Sequence, residues 1–262
     1  MQRNIAIGVL ISGSGTNLAA ILEACTAGRI QGRVRVVGSD TPRAAGLARA
    51  GDFKIPTVVV DYAEIIRNHR QDPQRSELPP DFDLSRIAAK QNLVPRETPQ
   101  SADFLKTRAM AESRLLAALA PHAPDLLVLA GFMRTLSPYF IDRFNVDPER
   151  PRIMNIHPAL LPAFPGVDGY GDTFRYGCKV AGCTVHFIDY GEDTGPIIAQ
   201  RAFPIEARDT LETVRQKGLR EEWALYPRCI QRFAQGRLRV VAPSPADRGA
   251  RARVVLDPGS AH

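Results

Sequence analysis

Asn155 and His157 stand two positions apart at the end of an apolar run, in Arg152-Ile-Met-Asn155-Ile-His157-Pro158-Ala-Leu-Leu-Pro162. If residues 152–156 form a strand, alternation puts both side chains on one side of it. An amide can polarise a carbonyl, and an imidazole titrates near neutral pH. Pro158 disfavours helical backbone at His157 and keeps the pair extended as the strand ends. An acid/base beside an oxyanion donor is built in this way. The same two residues also suit a polar strand end that satisfies local backbone, so the pair alone leaves both readings open.

Asp193, in Asp189-Tyr-Gly-Glu-Asp193-Thr-Gly195, is the third candidate. A carboxylate beside an imidazole favours the charged ring and raises its pKa. The bland alternative is an Asx-type turn residue in a Gly-rich loop. His186 lies in an apolar stretch and reads as a core histidine rather than a catalytic one. A second constellation is Ser12-Gly13-Ser14-Gly15-Thr16-Asn17, between an apolar run and a helical pattern. Outward N–H groups and the helix dipole there suit a phosphate. Gly13 and Gly15 permit close approach, while Thr16 and Asn17 add side-chain donors. No Lys follows as in a Walker A loop, and the third Gly of the Rossmann fingerprint is missing, although Asp40 stands at a suggestive distance for a ribose contact. A plain N-capping turn fits almost as well.

These residues need a frame to hold them. Residues 5–11, 34–37, 57–60 and 126–130 read as strands, the first and last apolar throughout. Helical patterns cover 18–24, 42–50 and 102–119, with Gly28 as a stop for the first. Strands are expected at 152–156, 180–188, 196–205 and 236–241, the second and third of these as a hairpin. An amphipathic helix is expected over 210–233, ended or kinked by Pro227. Alternating strands and helices predict an α/β chain with a mostly parallel sheet. Residues 63–101 contain five prolines and read as an insertion, partly ordered at best, with one or two helical turns at 84–91. Residues 242–262 read as a mobile tail.

Composition is ordinary for a folded chain of 262 residues, with 44% hydrophobic and 24% charged residues. The formal charge is +6, and only five of the 34 basic residues are lysines. The arginines are scattered, which suggests phosphate-bearing ligands rather than nucleic acid. Cys25, Cys178, Cys183 and Cys229 form no CxxC pair, so no metal is expected and free thiols in a reducing compartment are the simplest account. No signal peptide is recognisable, and the longest apolar stretch, 126–133, is too short to span a bilayer. A cytoplasmic protein without membrane contact is expected.

Four motifs in order resemble one family. Ser12-Gly-Ser-Gly-Thr-Asn17, Leu129-Ala-Gly-Phe-Met-Arg134, Asn155-Ile-His-Pro-Ala-Leu-Leu-Pro162 and Asp193-Thr-Gly-Pro-Ile197 are similar to those of the folate-dependent phosphoribosylglycinamide formyltransferases, or GAR transformylases. The likeness covers roughly residues 5–241, minus the insertion. It implies a Rossmann-like formyltransferase fold with helices on both faces of a mostly parallel sheet and a C-terminal antiparallel hairpin. It implies one formyltransferase domain over 1–241, with the inserted segment at about 63–101. The implied reaction passes the formyl group of 10-formyltetrahydrofolate to the amine of glycinamide ribonucleotide in purine synthesis. By the same likeness Asn155 steadies the formyl oxygen, His157 donates the proton, and Asp193 tunes His157 and relays the proton lost by the amine. Gly15, Thr16, Asn17 and Glu222 would hold the ribonucleotide. Arg108, Met133, Arg134, Thr135, Leu136 and Asn155 would contact the folate. The small-molecule substrates would be the only partners of a monomer or homodimer.

One stretch departs from the family pattern. Val167-Asp-Gly-Tyr-Gly-Asp-Thr173 replaces a His-containing segment; its two glycines suggest flexibility, and Asp168 brings negative charge near the site. A formyltetrahydrofolate hydrolase, with water as acceptor, is the nearest alternative, and that family is expected to carry an extra N-terminal domain. A methionyl-tRNA formyltransferase would need a further C-terminal one. A different phosphorylated amine is another possible acceptor. A non-catalytic folate or nucleotide sensor would not need a tuned acid beside an amide.

Overall fold

Strand β1 (Ile5–Ile11) divides its side chains by parity. Ile7, Val9 and Ile11 enter one core and Leu10 enters another on the opposite face. A strand covered by helices on both sides must be apolar on both. The computed structural model describes residues 4–95, 98–244 and 250–257. After β1 come α1 (Thr16–Thr26), β2 (Gly32–Ser39), α2 (Gly46–Asp52), β3 (Thr57–Val59), α3 (Tyr62–Gln71), α4 (Leu84–Lys90), α5 (Pro99–Leu119) and β4 (Leu126–Leu129). The second half runs α6 (Pro138–Phe144), β5 (Ile153–His157), α7 (Gly169–Arg175), β6 (Val180–Phe187), β7 (Ile197–Pro204), α8 (Leu211–Ala234), β8 (Leu238–Val241) and β9 (Arg253–Leu256).

Seven strands form one sheet in the order β3-β2-β1-β4-β5-β6-β7. The first five are parallel. β6 and β7 run antiparallel as a hairpin on the β5 edge. Strands β8 and β9 make a separate antiparallel pair. Helices α1 and α8 cover one face through Leu18, Ile21, Leu225 and Ile230. Helices α3, α5 and α6 cover the other through Ile65, Leu115 and Phe140. This is the Rossmann-like architecture, mostly parallel with an antiparallel C-terminal part. No helix among the described residues is long and apolar enough to cross a membrane.

Three expectations need correction. The segment at 63–101 is mostly regular structure. Asp61 accepts from Glu64 N at 3.0 Å and starts α3, whose Tyr62, Ile65 and His69 are buried. Its first proline, Pro73, lies past the end of that helix, so the prolines punctuate the segment instead of dissolving it. Asp83 caps α4, and Ile87 packs with Leu105, Ala109 and Tyr139. Second, Pro227 does not end α8. An interior proline costs about 3 kcal/mol, but Leu225, Tyr226, Cys229 and Ile230 are all buried on either side of it, and each such side chain contributes on the order of 1.5–3 kcal/mol. Third, the stretch expected as a mobile tail carries β9. Its Val254 packs on the main core beside β8.

Candidate active site

Strand β1 pairs with β2 on one side and β4 on the other, so chain order reverses between β1 and β4. The loops leaving the two strands there border a crevice at their C-terminal ends. Ser12 N donates to Gly131 O at 2.9 Å, and Met133 N donates to Ser12 Oγ at 2.8 Å. Gly15 caps α1 with φ 72°, a conformation glycine adopts without steric cost. A Cβ on Gly15 would meet Gly46 Cα at 2.8 Å. A cavity of about 520 Å³ lies in the crevice. Thr16 and Asn17 border it from α1, Met133, Arg134, Thr135 and Leu136 from the loop after β4, and Glu222 from α8.

Asn155 and His157 enter the same cavity from β5, and Asp193 from the loop between β6 and β7. Tyr226 fixes the two strand ends. From α8 its hydroxyl shares its one hydrogen between Leu129 O at 3.0 Å and Met154 O at 2.9 Å. His157 is 3% exposed. Its Nδ1 lies 3.1 Å from Asp193 Oδ2, and its Nε2 2.8 Å from Phe164 O. With an acceptor at each nitrogen, the imidazolium is the form that can donate to both. Burial nevertheless dominates and lowers the ring's pKa below 6.5, although Asp193 and the Phe164 carbonyl pull it up. The expected net rise from Asp193 is therefore overturned: its pull is present, and desolvation of the ring is larger. Burial also raises the Asp193 carboxyl, but His186, the His157 charge and Gly166 N–H at 2.9 Å outweigh it and hold the acid below 3.8. Asp193 and Phe164 both have positive φ, at 52° and 53°, a backbone state held only by well-packed surroundings.

His186 is fully buried, as expected of a core residue, yet it touches the site. Its Nε2 lies 3.2 Å from Asn155 Nδ2, and its Nδ1 lies 2.9 Å from Phe187 O. Nε2 also faces Asp193 Oδ1 at 3.6 Å, so the ring joins Asn155 to the acid. The two amide hydrogens of Asn155 leave at least one for the cavity.

At the far end, Asn17 Nδ2 donates to Glu222 Oε2 at 2.6 Å and Tyr170 OH donates to Glu222 Oε1 at 2.8 Å. Glu222 is 5% exposed, and burial raises its pKa despite both donors. Tyr170 belongs to the segment that departs from the family pattern. That segment leads into helix α7, and its glycines serve close packing rather than flexibility. A Cβ on Gly169 would lie 2.6 Å from Pro158 O. Gly218 of α8 leaves room for the Tyr170 ring, since a Cβ there would lie 2.1 Å from it. The negative charge of Asp168 is met by Arg175 at 2.8 Å and Arg215 at 2.9 Å.

Two residues lie elsewhere than expected. Arg108 does not border the cavity. It is 8% exposed on α5, with its guanidinium 5.4 Å from the Tyr62 ring centre and 4.8 Å from that of Phe104. Its guanidinium lies over those two aromatic faces. Asp40 is engaged by Arg134 Nε at 2.6 Å, so it anchors a cavity residue instead of facing a ribose. Sequence reasoning did not single out Tyr226, Tyr170 or Phe164, nor place His186 in the site. Only Tyr226 carried a signal, since it follows Glu222 by one helical turn on the same face. Among the described residues no group of three His, Cys, Asp or Glu side chains is arranged to hold a metal.

Comparison with known proteins agrees with this geometry. The family model described as formyl transferase matches residues 5–230. Phosphoribosylglycinamide formyltransferase of Bacillus subtilis (strain 168) is 33% identical over 225 residues, 86% of this chain and 92% of that protein. The enzyme of the same name from Escherichia coli (strain K12) is also 33% identical, over 89% of each chain. The crystal structure of glycinamide ribonucleotide transformylase 1 from Symbiobacterium toebii superposes with a TM-score of 0.71 at 39% identity, covering 97% of this chain and 95% of that one. A parallel sheet with its crevice at the β1/β4 switch point, polar side chains from β5 and the β6–β7 loop converging there, and relatives matched over nearly their whole length lead to one assignment: the chain belongs to the formyl transferase family, among the phosphoribosylglycinamide formyltransferases.

Proposed function

We propose that this chain transfers the formyl group of 10-formyltetrahydrofolate to the amine of glycinamide ribonucleotide. The observation that carries the reading is the convergence of Asn155, His157 and Asp193 at one end of a cavity whose other end holds Thr16, Asn17 and Glu222. The amine nitrogen bonds to the formyl carbon, and the C–N10 bond of the folate breaks. The proton lost by the amine balances the one gained by N10. Asn155 donates its free amide hydrogen to the formyl oxygen as charge gathers on it. His157 supplies a proton to the intermediate, exchanging the Phe164 carbonyl for the substrate at Nε2. Asp193 holds Nδ1 and stabilises the charged ring.

The Gly15 turn and Asn17, at the start of α1, offer N–H donors to the ribonucleotide phosphate. Glu222 accepts from its hydroxyl or amine groups. Met133 to Leu136 face the folate, and Asn155 faces its formyl group. Arg108 acts on this side only through Tyr62, which also lies beneath Arg134 at 5.7 Å. The described cysteines are free thiols, in keeping with a cytoplasmic enzyme, acting as a monomer or homodimer. Formation of tetrahydrofolate, followed with and without glycinamide ribonucleotide, tests the reading. Turnover is expected only with both substrates. Release without the amine would mean hydrolysis, and binding without turnover would mean a sensor.

A further inference from the structure

The loop 188–196 carries Asp193 over the cavity, and the polar contacts that reach it come from an unexpected direction. Lys90, the last residue of α4, places Nζ 2.5 Å from Asp142 Oδ2 on α6. The other oxygen of that carboxylate, Oδ1, accepts from Tyr190 OH at 2.5 Å. The Lys90 ammonium also lies 5.5 Å from the centre of the Tyr190 ring. Beyond α4, Asn92 N donates to Tyr190 O at 2.9 Å, and Asn92 and Gly191 form a parallel bridge. Gln91, 1% exposed, shapes this turn by accepting from Leu93 N at 2.6 Å and Val94 N at 2.9 Å.

We infer that the segment between α3 and α5 is a positioning device for the Asp193 loop, latched to it by Lys90, Asp142, Tyr190 and the Asn92 backbone. The inference rests on the formyl-transfer reading of the site. Tyr190 is three residues from Asp193, and the loop between them is stiff. Asp189 Oδ1 accepts from Gly191 N at 3.1 Å and from Thr194 Oγ1 at 2.6 Å. A shift at Tyr190 is therefore passed on to Asp193, whose positive φ already depends on its surroundings. Helix α4 does not need the latch to stay in place, since Ile87 anchors it in a small apolar core with Leu105, Ala109 and Tyr139. The charged contact to Asp142 and the backbone bond to Tyr190 instead join the segment to the loop that carries the acid. Charge-assisted bonds of this kind are about twice as strong as neutral ones and directional.

Lys90→Met and Tyr190→Phe in the full chain test the latch without large changes in packing. Four readouts are needed: kcat and KM for each substrate, the pH–rate profile, amide exchange over 189–195, and melting temperature. Misplacement of a catalytic group by about 1 Å can cost on the order of 10² in rate. Both variants should lose about tenfold to a hundredfold in kcat with KM for the folate within about threefold. The pKa reporting His157 should move down, because Asp193 faces it less well, and amides 190–194 should exchange faster. Lys90→Arg should recover most of the lost rate. Unchanged kcat and pH profile in both variants would overturn the inference. So would a rate loss that merely follows the unfolded fraction. Were the wild type to transfer no formyl group at all, the functional reading would fail, while loop exchange would still report the latch.

Discussion

Asp193 Oδ2 lies 3.1 Å from His157 Nδ1 inside a site where the ring is almost wholly buried. Two opposed effects meet there. Burial favours the neutral ring and prevails, while the carboxylate favours the charged ring. The enzyme therefore holds an imidazole that protonates reluctantly and gives its proton up readily, beside an acid that stays ionised.

Asp193→Asn removes the opposing charge. The His157 pKa, already below 6.5, should fall further, and kcat should drop by on the order of 10². A proton NMR titration of the His157 ring, paired with the pH–rate profile, checks both. The same shift has a stability consequence. Because the folded pKa lies below the unfolded one, the unfolded chain binds the proton first, and His157 costs stability as pH falls below 6.5.

Glu112 titrates in the opposite sense. Burial pushes its carboxyl up to about 8, although Ser137 offers it both a backbone N–H at 2.7 Å and its hydroxyl at 2.5 Å. A carboxyl with a raised folded pKa contributes stability that is full below 4.5 and is lost as pH rises through about 8. Glu112→Gln keeps an acceptor for Ser137 N, gives the Ser137 hydroxyl an amide donor once that hydroxyl turns to accept, and does not titrate. Its melting temperature relative to wild type should climb by roughly several degrees between pH 5 and 8. Thermal melts across that range measure it.

Glu222→Gln tests the other end of the cavity. Both Glu222 oxygens accept, one from Asn17 and one from Tyr170. A glutamine turns one acceptor into a donor and faces it toward another donor. KM for the ribonucleotide should rise by about tenfold, the equivalent of roughly 1.4 kcal/mol, with folate affinity unchanged. Steady-state kinetics and folate titration separate the two.

Much of this arrangement was legible in the sequence because local patterns and global fold agree. The apolar run Ile5–Ile11 and the alternation around Asn155 and His157 gave strand, face and exit direction. What escaped was decided by tertiary contact. Pro227 is a helix breaker by local rule, and buried neighbours on both sides hold α8 through it. His186 looked like core because it is core, and its role comes only from the register that pairs it with Asn155. The His157 pKa was misjudged because a neighbouring charge can be read from a motif, whereas depth of burial cannot. The segment 63–101 was read from its prolines, while Asp61 and Asp83 cap α3 and α4.

The central claim is that Asn155 and His157 act on the formyl group and not on the binding of its carrier. Formyl transfer and folate affinity measured side by side in Asn155→Ala and His157→Ala test it most directly. The kcat should fall by about 10²–10³ in the first variant and be abolished in the second, with the folate dissociation constant close to wild type in both. Full turnover in either variant, or a loss explained by folate binding alone, would contradict it.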